Sequence, residues 1–456
     1  MKRINLYIFL ALVFGFAACT SIDVDPTLEN DILQPDFNNL EDVESVLNAS
    51  YSALKQEGAY TGLLMASGEW QADNLKIAAT NTGQGAIDHE WDYEEGSGNF
   101  LAIWSSLYQV TRRANFVIFN SEAFSAEDPE RAAVLNAEAL ILRSLAFYEL
   151  AKTFGAEYST GNELAIPIVT DPIDITQQQP RSTYNEVFDF VRADLATAIA
   201  GLGDDFDPNR VSKALAHGIL ARISLLEGDY SAAVSNATAA IGAAPALSTI
   251  DNYTLMFGEN DEDGESIFKV ALNPDDNGIN DPYYAEGVGA RFDPSQDLLS
   301  LVDLNDVRYA ANFGEINGIL SIFKYRGPET NRDFHEPFVM RTSEMYLIRA
   351  EANAALNNDA AAVADLDAIR SNRIPGYTSV GESGDALDQA IRVERRIELA
   401  FEGFRMSDLR RWGLDVVRND CASDACTLNR SDTRFVYPIP RAEIFANDNM
   451  VQNPGY

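Results

Sequence analysis

Residues 214–247 read ALAHGILARISLLEGDYSAAVSNATAAIGAAPAL. Leu220, Ala221, Gly228, Ala233, Ala237, Ala240 and Pro245 fall there at the large, small and terminal positions of a 34-residue helical repeat. Small residues at these points let two antiparallel helices approach closely, while the large ones fill the groove of the next unit. The stretch therefore predicts a helix–turn–helix unit that needs neighbours of the same kind to bury its apolar face.

The pattern is that of a tetratricopeptide repeat, and a second match runs from Tyr346 through Ala350, Ala362, Leu366 and Ile369 to Pro375. Further helical pairs are proposed from Leu40–Lys55 with Trp104–Phe119, and from Ala137–Phe154 with Tyr184–Ile199, the latter split by an insertion. Leu140, Ile141, Leu145 and Tyr148 keep the spacing of a buried helical face until Gly155. The expected fold class is all-α, a tetratricopeptide-repeat scaffold with long inserted loops. Those loops are residues 73–99, 155–181, 257–296, 312–334 and 373–386, rich in Gly, Pro, Asp and Asn. Loops longer than about 12–15 residues in a compact protein are usually functional or disordered, and the aromatics held here favour function.

The 456 residues carry 34 Lys+Arg against 70 Asp+Glu, a formal charge of -36. Two acids per base repel phosphate backbones, which argues against sequence-independent nucleic-acid binding. The only three histidines, at 89, 217 and 335, are far apart in sequence, against a His-rich zinc site.

Lys2 and Arg3 precede the uncharged run Ile4–Ala18, too short for a span of about 20 residues but suited to a signal-peptide core. Residues 1–18 are read as a leader ending at Phe16-Ala17-Ala18-Cys19, which resembles a bacterial lipobox, with Cys19 the lipidated residue. Residues 19–36 follow as a flexible tether, and residues 37–456 as a single helical body. Removing the leader takes away two bases and no acid, moving the charge from -36 to -38. Cys421 and Cys426, in the polar stretch Asn419–Arg430, fit a small disulfide loop in an oxidising compartment; two free thiols are the alternative.

The C-terminal third resembles the SusD/RagB family of nutrient-binding lipoproteins. The resemblance is carried by Met345-Tyr-Leu-Ile-Arg-Ala-Glu351, by AIRVERRIELAFEGFRMSDLRRWG over 390–413, by Tyr437-Pro-Ile-Pro440 and by Gln452-Asn-Pro-Gly-Tyr456. Trp104–Tyr108 with Arg113–Asn115, Glu138 to Arg143, Ile166-Pro167 and Arg181 to Leu195 agree in the same order. The family divides such a body into an N-terminal part, about 37–230, and a C-terminal part, about 255–456. The resemblance implies an outer-membrane lipoprotein facing the cell surface and paired with a SusC-like TonB-dependent transporter. It would capture an oligosaccharide, or sometimes a peptide, for import without catalysis. A surface glycoside hydrolase and a structural scaffold lipoprotein are the competing readings.

Glu394, Glu398 and Glu402 share a helical face beside several arginines, which looks catalytic at first. A glycosidase instead needs two carboxylates across an open cleft, so salt bridging to Arg side chains three positions along the helix is expected. Sugar binding needs flat aromatic faces with polar groups at their rim. The candidates are Trp70, Asp73, Asn74, Trp91 and Tyr93 in and before the first loop, Tyr283, Tyr284, Arg291 and Phe292 in the third, and Tyr325 in the fourth. Trp104 and Trp412 read as core. Asn273, Asp275, Asn277 and Gly278 stand at positions one, three, five and six of a calcium loop, but Tyr284 occupies position twelve in place of Glu. A solvated turn is the preferred reading over a structural calcium, and no cofactor is expected.

Overall fold

Asp128 caps the helix Pro129–Phe154 by accepting a hydrogen bond from the Arg131 amide, and Pro129 opens it where no backbone donor is needed. Such local signals recur along a computed structural model that describes residues 37–171, 178–258, 262–273, 276, 278–285, 288–327, 334–421 and 425–456. The leader, Cys19 and the tether lie outside the described residues, as do Asp275 and Asn277 of the calcium-like loop.

The long helices are α1 (Leu40–Ala53), α2 (Gly98–Ala123), α3 (Pro129–Phe154), α4 (Tyr184–Gly201), α5 (Lys213–Glu227), α6 (Tyr230–Ala243), α7 (Thr342–Ala355), α8 (Asp359–Ser371) and α9 (Asp385–Glu398). They pack as α1 on α2, α2 on α3, α3 on α4, α5 on α6, α6 on α7 and α7 on α8. Every helical pair expected from the sequence is present, and the fold is a tetratricopeptide-like helical array. Residues 39–456 form one compact unit.

In the α5–α6 unit Gly228 takes a left-handed φ of 75° at the end of α5, and the Asp229 side chain accepts from the Ala232 amide to start α6. Only glycine adopts that conformation at little cost, so two adjacent residues make the turn. Ala221, Ala233, Ala237 and Ala240 are fully buried. A Cβ on Gly218 would stand 2.0 Å from the Met340 sulfur, so α5 approaches the neighbouring strand as closely as a side chain permits.

Buried ion pairs tie the units together. Arg143 on α3 makes paired 2.8 Å bonds to Asp194 on α4 and a third 2.8 Å bond to Asn115 on α2. Arg222 on α5 pairs with Glu344 on α7 at 2.8 and 2.7 Å. Glu394, Glu398 and Glu402 also pair, but not with arginines of their own helix as expected, whereas Asp408 does pair with Arg411 three positions along, at 3.0 Å. Glu394 meets Arg308 and Arg370, Glu398 meets Arg308, Arg341 and Arg373, and Glu402 meets Lys324 and Arg341. The physical reason is that α9 ends at Glu398 and this face is buried, so cations must come from elements packed against it.

Ten short strands form five two-stranded antiparallel ladders among the described residues: β1 (Leu75–Ile77) with β5 (Phe292–Pro294), β2 (Ser266–Lys269) with β8 (Phe338–Arg341), β3 (Tyr284–Ala285) with β4 (Gly289–Ala290), β6 (Phe313–Ile316) with β7 (Ile319–Ile322), and β9 (Val416–Val417) with β10 (Thr427–Leu428). The β1–β5 register sets Leu75 opposite Pro294 and Ile77 opposite Phe292, joining the first inserted loop to the third.

Candidate functional site

The inserted loops converge. Beyond the β1–β5 ladder, Ala78, Tyr284 and Ala290 form one small apolar cluster with Ile316 from the β6–β7 hairpin. The Arg326 guanidinium lies 5.3 Å from the Tyr284 ring centre. The loops at 73–99, 257–296 and 312–334 thus build one layer on the helical array.

Within that layer the aromatic candidates are spent on packing. Trp70 is fully buried and stacks on Phe292 at 5.9 Å, and Gly85, at φ 67°, lies so close that a Cβ would come within 2.7 Å of the indole. Trp91 donates from Nε1 to the Gln71 carbonyl at 3.0 Å with the Arg418 guanidinium 4.1 Å from its ring. Tyr93 donates to the Arg434 carbonyl and sits edge-on to Phe100 and Tyr437. Tyr283 donates to the Phe401 carbonyl at 3.1 Å, and Tyr325 packs on Phe257 and His335. Trp91, Tyr93, Tyr283, Tyr284, Phe292 and Tyr325 are all buried, so these rings present no open shelf. Loops with little regular structure need a core of their own, and large rings supply it. Trp91 and Tyr325 even hold left-handed backbone, φ 55° and 67°, which bulky residues keep only where packing over-determines it.

The polar candidates are also committed. Asp73 accepts from Arg405 at 2.6 and 2.9 Å; burial opposes its charge, yet Arg405 and Arg396 hold its carboxyl below the usual range. Asn74 donates to Glu69 at 3.0 Å and accepts from Arg396 at 2.8 Å. Arg291 bonds both carboxylate oxygens of Asp281, at 3.1 and 3.2 Å. Trp104 is core as expected, whereas Trp412 is half-buried and donates to Glu351 at 2.9 Å. The structure joins Cys421 to Cys426 in a disulfide with Cα atoms 5.6 Å apart.

What the layer leaves open is a polar basin of about 470 Å³ between the turn after α1 and the loops, lined by Lys55, Glu57, Thr61, Gln84, Asp276 and Asp281 among others. Lys55 Nζ lies 3.0 Å from Asp276, and Gln84 Nε2 lies 3.4 Å from Asp281. The Asn273 amide and Lys55 hold the Asp276 carboxyl below its ordinary value. This basin offers carboxylate acceptors, an ammonium and an amide at its rim. Sequence reading missed Lys55, Glu57 and Gln84 because nothing in their spacing sets them apart; only the converging loops do. Among the described residues no group of three or more His, Cys, Asp or Glu is placed to hold a metal ion, and no helix is long and apolar enough to cross a membrane.

The helical-repeat array thus bears a loop layer with a polar basin at its edge. A model of the SusD family matches residues 316–456, and a second, described as starch-binding associating with outer membrane, matches residues 27–225. The chain belongs to the SusD/RagB family. It is 25% identical over 517 aligned positions to SusD-like protein P2 of Formosa agariphila, covering all of both chains. A SusD superfamily protein of Bacteroides thetaiotaomicron superposes with a TM-score of 0.83 at 27% identity, over 91% of this chain and all of the other. A laminarin binding SusD-like protein shares the fold with a TM-score of 0.72 at 22% identity, over 92% of this chain and all of that one.

Proposed function

We propose that this protein is a non-catalytic glycan-binding lipoprotein, anchored through Cys19 on the outer face of the outer membrane, that delivers an oligosaccharide to a SusC-like TonB-dependent transporter. The observation that carries the reading is the meeting of two inserted loops and the turn after α1 at one 470 Å³ polar basin on a SusD-type scaffold. Its volume lies in the roughly 300–1,000 Å³ range of small-ligand sites. The laminarin ligand of one fold relative and the starch-binding description of the family model point to the same substrate class.

Capture would work through hydroxyl recognition. Asp281, with its side chain 43% exposed, and Asp276 accept from sugar hydroxyls, while Lys55 and Gln84 donate. Such a partly wet site gives modest affinity, which suits a protein that must release its cargo. Because the conspicuous carboxylates Glu394, Glu398 and Glu402 are buried in ion pairs, they cannot flank a scissile bond. An anionic body of -38 is repelled by anionic lipid, so docking on the membrane falls to the anchor and the transporter.

Titration of purified protein with neutral oligosaccharides, laminarin among them, tests the claim together with Gln84→Ala and Asp281→Ala. Retention that both variants weaken supports the basin. Reducing sugar released by stringently purified protein would overturn the non-catalytic reading. Outer membranes solubilised in mild detergent should yield the transporter with the protein, and recovery of the protein alone counts against the pairing.

A further inference from the structure

A second cleft lies among the helices, away from the basin and sharing no lining residue with it. Two chambers, of about 400 and 270 Å³, join through common walls at Tyr158, Leu226 and Arg411. The larger runs between Tyr230 at the start of α6, the end of α7, and Arg392 on α9. The smaller lies beside Lys152, Arg410 and Arg430.

Here, unlike the buried candidate rings of the loop layer, aromatic rings reach solvent. Tyr158, Tyr230 and Trp412 are each only partly buried. Tyr158 is braced edge-on by Tyr184 at 5.2 Å. Trp412 is held by the guanidiniums of Arg392 and Arg411, 5.2 and 4.7 Å from its ring. Braced rings at a groove wall suit the apolar C–H faces of sugar rings. Ser159, Glu227 and Asp388 supply acceptors along the larger chamber.

The electrostatics differ from those of the basin. The basin sets Glu57, Asp276 and Asp281 against Lys55. The small chamber sets Lys152, Arg410, Arg411 and Arg430 against Glu157. Lys152 is paired from behind by Glu149 and Arg411 by Asp408, whose side chains are 2% and 5% exposed and do not line the chamber; Arg410 and Arg430 share Glu157, and Arg411 also pairs with Glu351 on the wall of the larger chamber. In a chain with two acids per base, a wall that shows mostly cations is a local inversion of the field.

We propose that this cleft is a second saccharide site, taking a sugar that bears a carboxylate or sulfate group, with the anionic group at the Lys152/Arg430 end and the sugar rings along Tyr158 and Tyr230. The inference rests on the reading of the chain as a glycan binder, and it gives the two sites opposite charge preferences. A neutral chain would be held at the basin and an acidic residue or branch at the cleft.

Calorimetry on the purified protein with an oligogalacturonate, a sulfated galactan oligosaccharide, laminarin and inorganic sulfate tests it. The variants are Tyr230→Ala, the double replacement Lys152→Gln/Arg430→Gln, and Asp281→Ala, each first shown to melt cooperatively near the parent temperature. At least one acidic saccharide should bind, weaken roughly tenfold in each cleft variant and be unmoved in Asp281→Ala. Failure of both acidic saccharides to bind, or binding indifferent to the cleft variants, overturns the proposal. So does sulfate binding as tightly as the saccharides and indifferent to Tyr230→Ala, which would mark a simple anion site. Loss of acidic binding in Asp281→Ala would place that ligand in the basin and also overturn it. Laminarin retention lost only in Asp281→Ala sustains the glycan-binding reading whatever the cleft does.

Discussion

Arg373 and Glu398 meet at 3.0 Å with neither side chain reaching solvent. Arg341 and Arg308 bind the same carboxylate at 2.9 and 3.1 Å, and Glu265, equally buried, bridges back to Arg341 and Arg373. This network joins α9 to β8, to the turn after α8 and to the segment beside β2, clamping the C-terminal helices to the loop layer. Burial opposes the charge on Glu398, but Arg373, Arg341 and Arg308 hold its carboxyl well below the ordinary range.

Removing one member strands the others. Glu398→Ala leaves buried guanidiniums uncompensated and should cost roughly 3–5 kcal/mol in chemical denaturation. Arg441→Ala breaks a half-exposed pair with Glu95 at 2.9 Å and should cost no more than about 1 kcal/mol. Equal losses in the two variants would contradict the clamp.

The helical array was legible because its signals are local: Gly228 and Asp229 mark a turn, Ala233 and Ala237 a close helix contact, and both act within one unit. The ion-pair partners of Glu398 were not legible, since Arg308, Arg341 and Arg373 come from 25 to 90 positions away. The loop aromatics show a third case. Trp70 and Phe292 stand out in sequence as surface-loop rings, yet 222 positions apart they stack to form the loop layer's own core. Composition alone does not separate a ring that binds from a ring that folds a loop. The basin groups Lys55, Gln84 and Asp281 are ordinary polar residues until the chain brings them together.

Acid should destabilise the protein in two overlapping windows, one that opens near neutrality and one that opens below about pH 4.3. Burial, then the Arg418 charge, push His89 down to about 3, and burial holds His335 at about 4. Below the unfolded value of about 6.5 the unfolded chain takes up protons that the folded one refuses, so stability falls as pH drops from there. Glu351 is opposed by burial but held by Arg411 at about 2, so its contribution is present above the unfolded value of about 4.3 and is lost as pH falls towards 2. His89→Phe should therefore flatten the urea-midpoint slope between pH 6.5 and 5, while Glu351→Gln alters only the more acidic limb. An unchanged slope in the first variant would contradict the assignment of His89.

Cys421–Cys426 closes a short loop next to the β9–β10 ladder, where the Arg418 amide donates to the Cys426 carbonyl at 2.9 Å. A six-residue loop restrains little unfolded-state freedom, about 2 kcal/mol on the chain-entropy account. Arg418 reaches four further carbonyls, those of Trp70, Gln71, Ala72 and His89, independently of the bridge. Reduction should therefore lower stability by no more than about 2 kcal/mol and leave glycan binding in place. A loss of binding on reduction would show that the bridge shapes the basin.

The sharpest test separates the two kinds of loop residue. Trp91 is 3% exposed, bonded to the Gln71 carbonyl and covered by Arg418, so Trp91→Ala should cost roughly 3–5 kcal/mol of stability through the cavity it leaves. Gln84 lines the basin at its open rim and spans only a 3.4 Å contact to Asp281, so Gln84→Ala should leave the melting temperature nearly unchanged. In glycan titrations at a temperature where both variants are folded, Gln84→Ala should weaken binding several-fold, the worth of one hydrogen bond at about 1 kcal/mol. Trp91→Ala should bind as the parent does once its folded fraction is accounted for. The reverse pattern, with Trp91→Ala stable and unable to bind, would show that the indole face opens to ligand and would return the site to the aromatic loops.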